Sequence, residues 1–394
     1  MHLPAGLGEL TYCMNIHPGV TWPEVRASLT GPACAVKAAL APDAPFAIGL
    51  RFSAQVVEDL KDEATRRELK SILAAEGFRP ITVNGFPYGA FHGVPVKAEV
   101  YQPDWRHEAR LAYTCDLADL MAAIAPPGET VSLSTVPGSF RPLAADAADM
   151  ADRYIRAAAH CHALRAQTGV TVAIAIEPEP HCFLETISET IAFFETHLFG
   201  EPAAARMAAL TGLTRAEAAA ALPRHLGLCY DVCHAAVEYE DPAASIEALR
   251  AASIPVHKLQ LSAALRVPRV TAEAREALAP FDEPTYLHQV VSRRGTTLTR
   301  HADLPQALVL GAAEDGAEWR VHFHVPVFVA DLGPLSTTQD FLAEILALHR
   351  AEPISAHLEV ETYTFDVLPP ALEAGTVDRA VSRELRWVLE QLTA

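Results

Sequence analysis

Two glutamates at the end of an apolar segment are the first residues in this chain whose type and spacing indicate chemistry. In IAIEPEPHCFLET, residues 174–186, Glu177 and Glu179 directly follow an apolar run, and a proline follows each of them. Proline fixes φ, so a rigid turn without a functional role is one interpretation of the doublet. The other is that a buried strand delivers two carboxylates to a site at its carboxyl end. We favour this second interpretation because the pattern recurs along the chain.

Carboxylates and imidazoles also occur at the ends of other apolar, strand-like segments. The segments CYDVCH, VHFHV and HLEVET supply Asp231 with His234, His322 with His324, and Glu359 with Glu361. Such side chains are the oxygen and nitrogen ligands of divalent ions such as Mn, Mg, Zn and Co. A lone histidine in an apolar strand is more often a core residue, and one of His322 and His324 fits that description. The joint occurrence of these groups predicts a divalent metal site.

A further set of polar residues near strand ends is predicted to contact a substrate. Arg51 and Lys258 are cations that could hold a carboxylate or phosphate, and Asn84 ends a predicted strand. The complete substrate-binding set that we predict is Arg51, Asn84, Glu179, Lys258, Gln260 and His322.

The elements that would position these residues alternate between strands and helices. Ala/Leu/Glu/Arg-rich stretches with helical periodicity separate most of the strand-like segments. Gly169 is a natural helix stop, and Thr214 with Glu217 forms a capping-box pattern. Such alternation predicts a mostly parallel sheet, and eight such units close into an α/β fold, the (β/α)8 TIM barrel. Active sites of this fold lie at the carboxyl ends of the strands, where the candidate residues stand.

The strand candidates exceed the eight that a barrel needs by one. They lie at 10–16, 46–52, 80–86, 131–136, 172–177, 226–232, 256–262, 320–327 and 357–362. We predict a single barrel over residues 1–394, with a β-rich insertion late in the chain at 263–318. The sequence leaves open which candidate lies outside the barrel.

Composition excludes several classes of function. Half of the 394 residues are hydrophobic, so a large core is available, and the net charge of −18 argues against nucleic acid as a partner. We find neither a membrane-length apolar run nor a signal-peptide pattern, and the seven scattered cysteines are typical of reduced thiols. These features predict a cytoplasmic protein.

The order of these segments resembles the xylose-isomerase-like TIM barrels, which include sugar-phosphate isomerases, ketose 3-epimerases and endonuclease-IV-type enzymes. The resemblance rests on a Glu-Pro strand end, a D-x-x-H strand end, a histidine strand and a final glutamate strand. It implies Glu177 and Asp231 as metal ligands and His234 as a histidine that touches substrate. Gln260 holds the expected place of the third ligand, and His324 is the alternative later in the chain. The last ligand is Glu359 or Glu361, of which we favour Glu361.

A second resemblance covers nearly the whole chain. The runs LTYCMNIHPGVTWPEV, NGFPYGAFHG, VKAEVYQPDWR, STVPGSF, CYDVCHAAVEYEDP, YLHQVV, VHFHVPVF and HLEVETYTFDVLP are similar to the EboE-like metabolite traffic proteins, the TIM-barrel family of the ebo gene cluster. This resemblance implies a role in moving a secondary-metabolite precursor. The implied partners are a small-molecule metabolite and other proteins of the same cluster, a membrane protein among them.

Three functions are compatible with this set of residues. In an isomerase or epimerase, a metal ion would polarise a hydroxy-carbonyl substrate. Glu177 and Glu361 would then exchange protons, and His234 would bind a substrate hydroxyl. In a non-catalytic protein, the barrel would bind a metabolite and transfer it to a partner. An endonuclease-IV-like metal-dependent hydrolase is the third function, and the acidic charge speaks against it.

Overall fold

Eight parallel strands form a closed barrel in the computed structural model, which describes residues 1–143, 146–369 and 375–393. The barrel strands are β1 Glu9–Tyr12, β2 Phe46–Arg51, β3 Phe78–Asn84, β4 Thr130–Thr135, β5 Thr171–Ile176, β6 Leu226–Asp231, β7 Val256–Leu261 and β14 His357–Val360. Hydrogen bonds join β2 through β7 in chain order, then β7 to β14 and β14 to β1. The predicted TIM barrel is therefore confirmed.

The barrel closes between its first two strands. A parallel bridge joins Cys13 to Gly49, and Thr11 Oγ1 donates to the carbonyl oxygen of Ala47 at 2.8 Å. The backbone N–H of Gly49 in turn donates to Thr11 Oγ1 at 3.0 Å. The Thr11 hydroxyl thus links β1 to β2, at the position where the barrel closes and the two strands share few backbone hydrogen bonds.

The described helices connect the strands and, apart from those at 272–278 and 304–308 in the insertion, cover the outside of the barrel. They are α1 Trp22–Ser28, α2 Cys34–Leu40, α3 Ala54–Asp59, α4 Glu63–Glu76, α5 Glu108–Ile124, α6 Ala147–Thr168, α7 Ile187–Phe193, α8 Glu201–Thr211, α9 Arg215–His225, α10 Val232–Val237, α11 Pro242–Ala251, α12 Ala272–Leu278, α13 Leu304–Leu308, α14 Gln339–Ala351 and α15 Val377–Thr393. Gly169 ends α6 in the left-handed region, and the capping box of Thr214 and Glu217 begins α9, as predicted. No helix within the described ranges is long and apolar enough to cross a membrane.

A second, antiparallel sheet is inserted between β7 and β14. Its strands are β8 Ala264–Val267, β9 Val290–Arg294, β10 Thr297–His301, β11 Glu318–His324, β12 Asp331–Leu332 and β13 Leu335–Thr337. The surplus strand candidate, 320–327, corresponds to β11 of this sheet. The sheet therefore extends beyond residue 318, the predicted end of the insertion.

Strand β11 has two faces with different neighbours. Val321 and Phe323 are buried in a hydrophobic cluster of the insertion, together with Leu265 of β8. The alternating residues, His322 and His324, are buried too, but they contact His234 of α10 at the barrel mouth. The insertion consequently places two imidazoles over the carboxyl ends of the barrel strands.

Candidate metal centre

Three carboxylates from three barrel strands meet at the barrel mouth. Glu177 directly follows β5, Asp231 is the last residue of β6, and Glu361 directly follows β14. Each offers an oxygen within 4.8 Å of an oxygen of the other two. All three side chains belong to buried residues.

The three negative charges of this carboxylate triad repel one another. Burial, followed by the charges of Glu361 and Asp231, raises the pKa of Glu177 well above its ordinary value. Glu177 Oε2 and Asp231 Oδ2 are buried and accept no hydrogen bond from any described residue. Buried carboxylate oxygens without donors are costly unless a cation binds them, and this donor set fits a divalent ion.

Neighbouring donors hold the remaining triad oxygens in position. Asp231 Oδ1 accepts the backbone N–H of His234 at 2.9 Å and the Ser262 hydroxyl at 2.8 Å. Glu361 Oε1 accepts the side-chain amides of Asn15 at 2.6 Å and Asn84 at 3.1 Å. These bonds orient the two carboxylates while leaving Asp231 Oδ2 available to an ion.

Three imidazoles converge beside the triad, and each is oriented through Nδ1. His234 Nδ1 lies 2.9 Å from the Pro178 carbonyl oxygen, His322 Nδ1 lies 2.7 Å from Gln289 Oε1, and His324 Nδ1 lies 2.9 Å from the Glu361 carbonyl oxygen. Donation from Nδ1 leaves Nε2 as a bare acceptor, which is how metal-binding histidines are usually held. His324 Nε2 has no partner among the described residues, and His324 shares a possible ligand group with Asp231 and His234.

Glu179 lies beside the imidazoles rather than in the triad. Tyr101 donates its hydroxyl to Glu179 Oε1 at 2.5 Å, and Gln289 Nε2 donates to the same oxygen at 3.3 Å. Burial raises the pKa of Glu179, and these two donors oppose that shift. Glu179 also offers one ligand atom within 4.8 Å of ligand atoms of His234 and His322.

Glu359 and Lys258 lie deeper in the barrel than the triad. Lys258 Nζ is 2.5 Å from Glu359 Oε2, and both side chains are fully buried. Burial opposes the charge of Lys258, but Glu359 and the other acidic groups around it together outweigh burial, so the pKa of Lys258 is raised. The pair lies below the pocket, and Glu361 is the member of the glutamate pair that faces the mouth.

Gln260 and Arg51, two of the predicted substrate-binding residues, also lie outside the pocket lining. Gln260 is buried on β7, in register with Asp231 and Glu359, and its Nε2 has no partner in the described chain. Arg51 is buried and donates to the backbone carbonyl oxygens of Gly19 and Gly89. Arg51 therefore joins two loops, while Asn84 does face the pocket.

A pocket opens from the triad and imidazoles toward the barrel mouth. The cavity volume is about 60 Å³, which is room for a few water molecules. Its walls are largely aromatic. Phe91, Tyr286 and Tyr363 contact one another with ring centroids 5.0–5.2 Å apart.

The sequence offered no direct signal for several residues that line the pocket or bond to its lining. Tyr101, Tyr286 and Gln289 lie in loops or at the edge of the insertion, where no periodicity marks a buried face. The only hint was that VKAEVYQPDWR and YLHQVV are among the runs that resemble the EboE-like family.

Comparison with known proteins finds similarity only to solved structures, at low sequence identity. No protein-family model matches the chain, and no curated protein matches it. Among similar solved structures, the IolI protein with a binding zinc atom has 11% identity over 98% of each chain, with a TM-score of 0.47. A xylose isomerase-like TIM-barrel protein from Mycobacterium smegmatis, in complex with magnesium, has 10% identity over 98% of this chain and 97% of that one, with a TM-score of 0.48. The probable 3-DHS dehydratase AsbF from Bacillus anthracis has 13% identity over 96% and 97%, with a TM-score of 0.43.

Proposed function

We propose that this protein is a divalent-metal-dependent isomerase or epimerase that acts on a small hydroxy-carbonyl metabolite. The observation that carries the proposal is the triad of Glu177, Asp231 and Glu361, which combines buried carboxylates with an adjoining pocket at the barrel mouth. A structural cluster deep in the core would satisfy its oxygens internally, whereas two triad oxygens here have no donor among the described residues.

The residues that would hold the ion are Glu177, Asp231 and Glu361, with His324 Nε2 as the nitrogen ligand. Mixed carboxylate and imidazole ligation suits Mn, Mg, Zn or Co. An ion bound there supplies Lewis acidity toward a neighbouring carbonyl oxygen of the substrate.

Proton transfer is assigned to side chains that border the pocket. Glu177 and Glu361 both line it, and the raised pKa of Glu177 favours a protonated form before the ion binds. One carboxylate can then take a proton from a substrate carbon while the other returns one, as in general acid–base catalysis. Asn15 and Asn84 fix the orientation of Glu361 for this exchange.

The pocket walls indicate the chemistry of the substrate. Among the described residues that line the pocket there is neither a lysine nor an arginine. A phosphate or strongly anionic group would therefore lack a cationic partner from the chain. The aromatic wall of Phe91, Tyr286 and Tyr363 suits the apolar face of a sugar-like ring or another compact carbon skeleton.

Two alternative functions would use the same pocket. A non-catalytic carrier, in line with the resemblance to the EboE-like metabolite traffic proteins, would retain such a metabolite and pass it to proteins of the same gene cluster. It would work in the cytoplasm, next to a membrane partner. An endonuclease-IV-like hydrolase is less well supported, since the chain has a net charge of −18.

Deuterium exchange from solvent into a substrate distinguishes the isomerase or epimerase from the two alternatives. The protein, loaded with Mn²⁺, Mg²⁺, Zn²⁺ or Co²⁺, is incubated in D₂O with a panel of ketoses and hydroxyketones, and NMR records deuterium at the carbon beside the carbonyl. We expect metal-dependent exchange with at least one compound. The Glu177→Gln and Glu361→Gln variants should each lose it.

The matched control is Glu195→Gln, which removes a carboxylate from the helical surface and not from the pocket. This variant should exchange deuterium at the wild-type rate. A metal-loaded protein that exchanges nothing, yet retains a small apolar metabolite through purification, would contradict the enzyme and support the carrier.

A further inference from the structure

We propose that His234, His322 and Glu179 form a second divalent-cation site, distinct from the carboxylate triad and facing the same pocket. This inference rests on the proposed function, because that function already requires a divalent ion at this pocket. All three residues line the pocket, whereas the third imidazole, His324, does not. They come from three parts of the chain: the loop after β5, α10 and the inserted strand β11.

The first argument concerns the proton on His234. Its Nδ1 lies 2.9 Å from the carbonyl oxygen of Pro178, which can only accept a hydrogen bond. Nδ1 therefore carries the hydrogen, and Nε2 of the neutral ring has a free lone pair.

The same argument applies to His322 through its partner Gln289. Gln289 Nε2 lies 3.0 Å from the carbonyl oxygen of Pro180, so this atom is the amide nitrogen and Oε1 faces the other way. His322 Nδ1 lies 2.7 Å from that Oε1 and must donate to it. Nε2 of His322 is consequently bare as well.

These two bare nitrogens face each other. His234 Nε2 and His322 Nε2 are 3.1 Å apart, and the rings meet edge to face at 79°. Two lone pairs at this separation repel unless a positive charge lies between or beside them. Two nitrogens bound to one ion, each about 2.1 Å from it, are about 3.0–3.4 Å apart in octahedral or tetrahedral coordination. The observed 3.1 Å lies in this range, and it is also the length of a single N–H···N hydrogen bond.

Glu179 supplies the anionic ligand of this second site. It offers an oxygen within 4.8 Å of a nitrogen on each of the two rings. Tyr101 and Gln289 both donate to its Oε1. Two imidazoles and one carboxylate make a nitrogen-rich set that favours Zn²⁺ over Mg²⁺, unlike the oxygen-rich triad.

A proton shared between the two rings is the competing explanation. It requires a second proton on one of the two rings, at Nε2, because the hydrogen on each Nδ1 is already donated to an oxygen. The two explanations differ in metal content, which is a direct measurement.

The test is a metal count on the full-length protein. Metal-free protein is titrated with Zn²⁺, and gel filtration removes the unbound ion. The zinc that remains bound is then counted by elemental mass spectrometry. We expect two ions per chain for the wild type and one for His322→Asn. The control His301→Asn, which removes an imidazole from β10 of the same insertion, should retain two.

A second variant tests the site without removing a ligand. Gln289→Met deletes the acceptor that orients His322, and we expect Zn²⁺ affinity at the second site to fall about 10- to 100-fold. Anomalous scattering at the zinc edge should show two peaks in crystals of the wild type and one in crystals of His322→Asn.

The outcomes separate this proposal from the proposed function. One ion per chain in the wild type, lost in Asp231→Asn and kept in His322→Asn, overturns the second site and leaves the proposed function standing. A chain that binds no ion at all overturns both.

Discussion

Gly49 of β2 leaves the space that the carboxylate of Glu359 occupies inside the barrel. A Cβ built on Gly49 would lie 1.7 Å from Glu359 Oε1 and 2.7 Å from the carbonyl oxygen of Tyr12. Both contacts are far inside van der Waals distance, and Glu359 cannot move away freely because it is paired with Lys258. A glycine at position 49 is therefore a condition for the buried ion pair of Lys258 and Glu359 beneath the carboxylate triad.

Replacement of Gly49 by alanine should destabilise the fold. We expect the free energy of unfolding, measured by urea denaturation, to fall by about 3 kcal/mol, at the upper end of overpacking costs. The control is Gly31→Ala, where a Cβ would meet nothing within 4 Å. If both variants unfold at the wild-type urea concentration, the steric argument is wrong.

Loss of Lys258 should be more harmful than loss of the whole ion pair. Lys258→Met leaves Glu359 charged and buried without a partner, which costs about 3–5 kcal/mol. The double variant Lys258→Met/Glu359→Gln removes both charges and should recover much of that loss. Urea denaturation of the wild type, the single variant and the double variant measures the difference. Equal stability of the single and double variants would show that the unpaired charge of Glu359 does not cause the loss.

Divalent ions should stabilise the folded chain through the carboxylate triad. An ion present at 100 times its Kd adds about 2.7 kcal/mol, which raises the melting temperature by several degrees. EDTA should reverse the rise, and Glu361→Gln should lower it strongly. Differential scanning calorimetry with and without Mn²⁺ measures both effects. An equal rise in the variant would show that the ion binds elsewhere.

Stability should depend on the protonation of Glu384 in α15. Burial raises the pKa of Glu384 from 4.5 to about 7, while Thr362 and the backbone N–H of Val327 donate to its Oε1 and oppose the shift. A raised pKa means that the folded chain holds this proton more tightly than the unfolded chain. The contribution is therefore fully present below pH 4.5 and is lost as the pH rises through about 7.

The matched variant for this pH effect is Glu384→Gln. Relative to that variant, the wild type should lose up to about 3 kcal/mol of stability between pH 4.5 and 8, as measured by urea denaturation. Parallel pH profiles of the two proteins would mean that Glu384 does not titrate in this range.

The sequence predicted the barrel because its signals are local. Alternating apolar strands and amphipathic helices, a glycine stop at Gly169 and a capping box at Thr214 each depend on neighbouring residues. The position of Glu177 and Asp231 at strand ends follows from the same local pattern, and the structure places them together at the mouth.

Other features of the site depend on contacts between distant parts of the chain. Glu359 and Glu361 have the same parity, so periodicity could not show that one pairs with Lys258 below the pocket and the other faces the mouth. Likewise, nothing local links Gln289 to His322, because the strands that bring them together pair only after the insertion folds. The sequence also presented Arg51 as a candidate anion binder, whereas its neighbours are two loop carbonyls.

The two faces of strand β11 have a consequence for kinetics. Since Val321 and Phe323 anchor the strand in the insertion while His322 and His324 reach the mouth, the imidazoles can withdraw only if the strand separates from β8 and β9. Ion release would then be as slow as the transient opening of that sheet. Hydrogen exchange at the amides of β11 should slow when zinc is added, and the rate of zinc loss to a chelator should follow the rate of this opening.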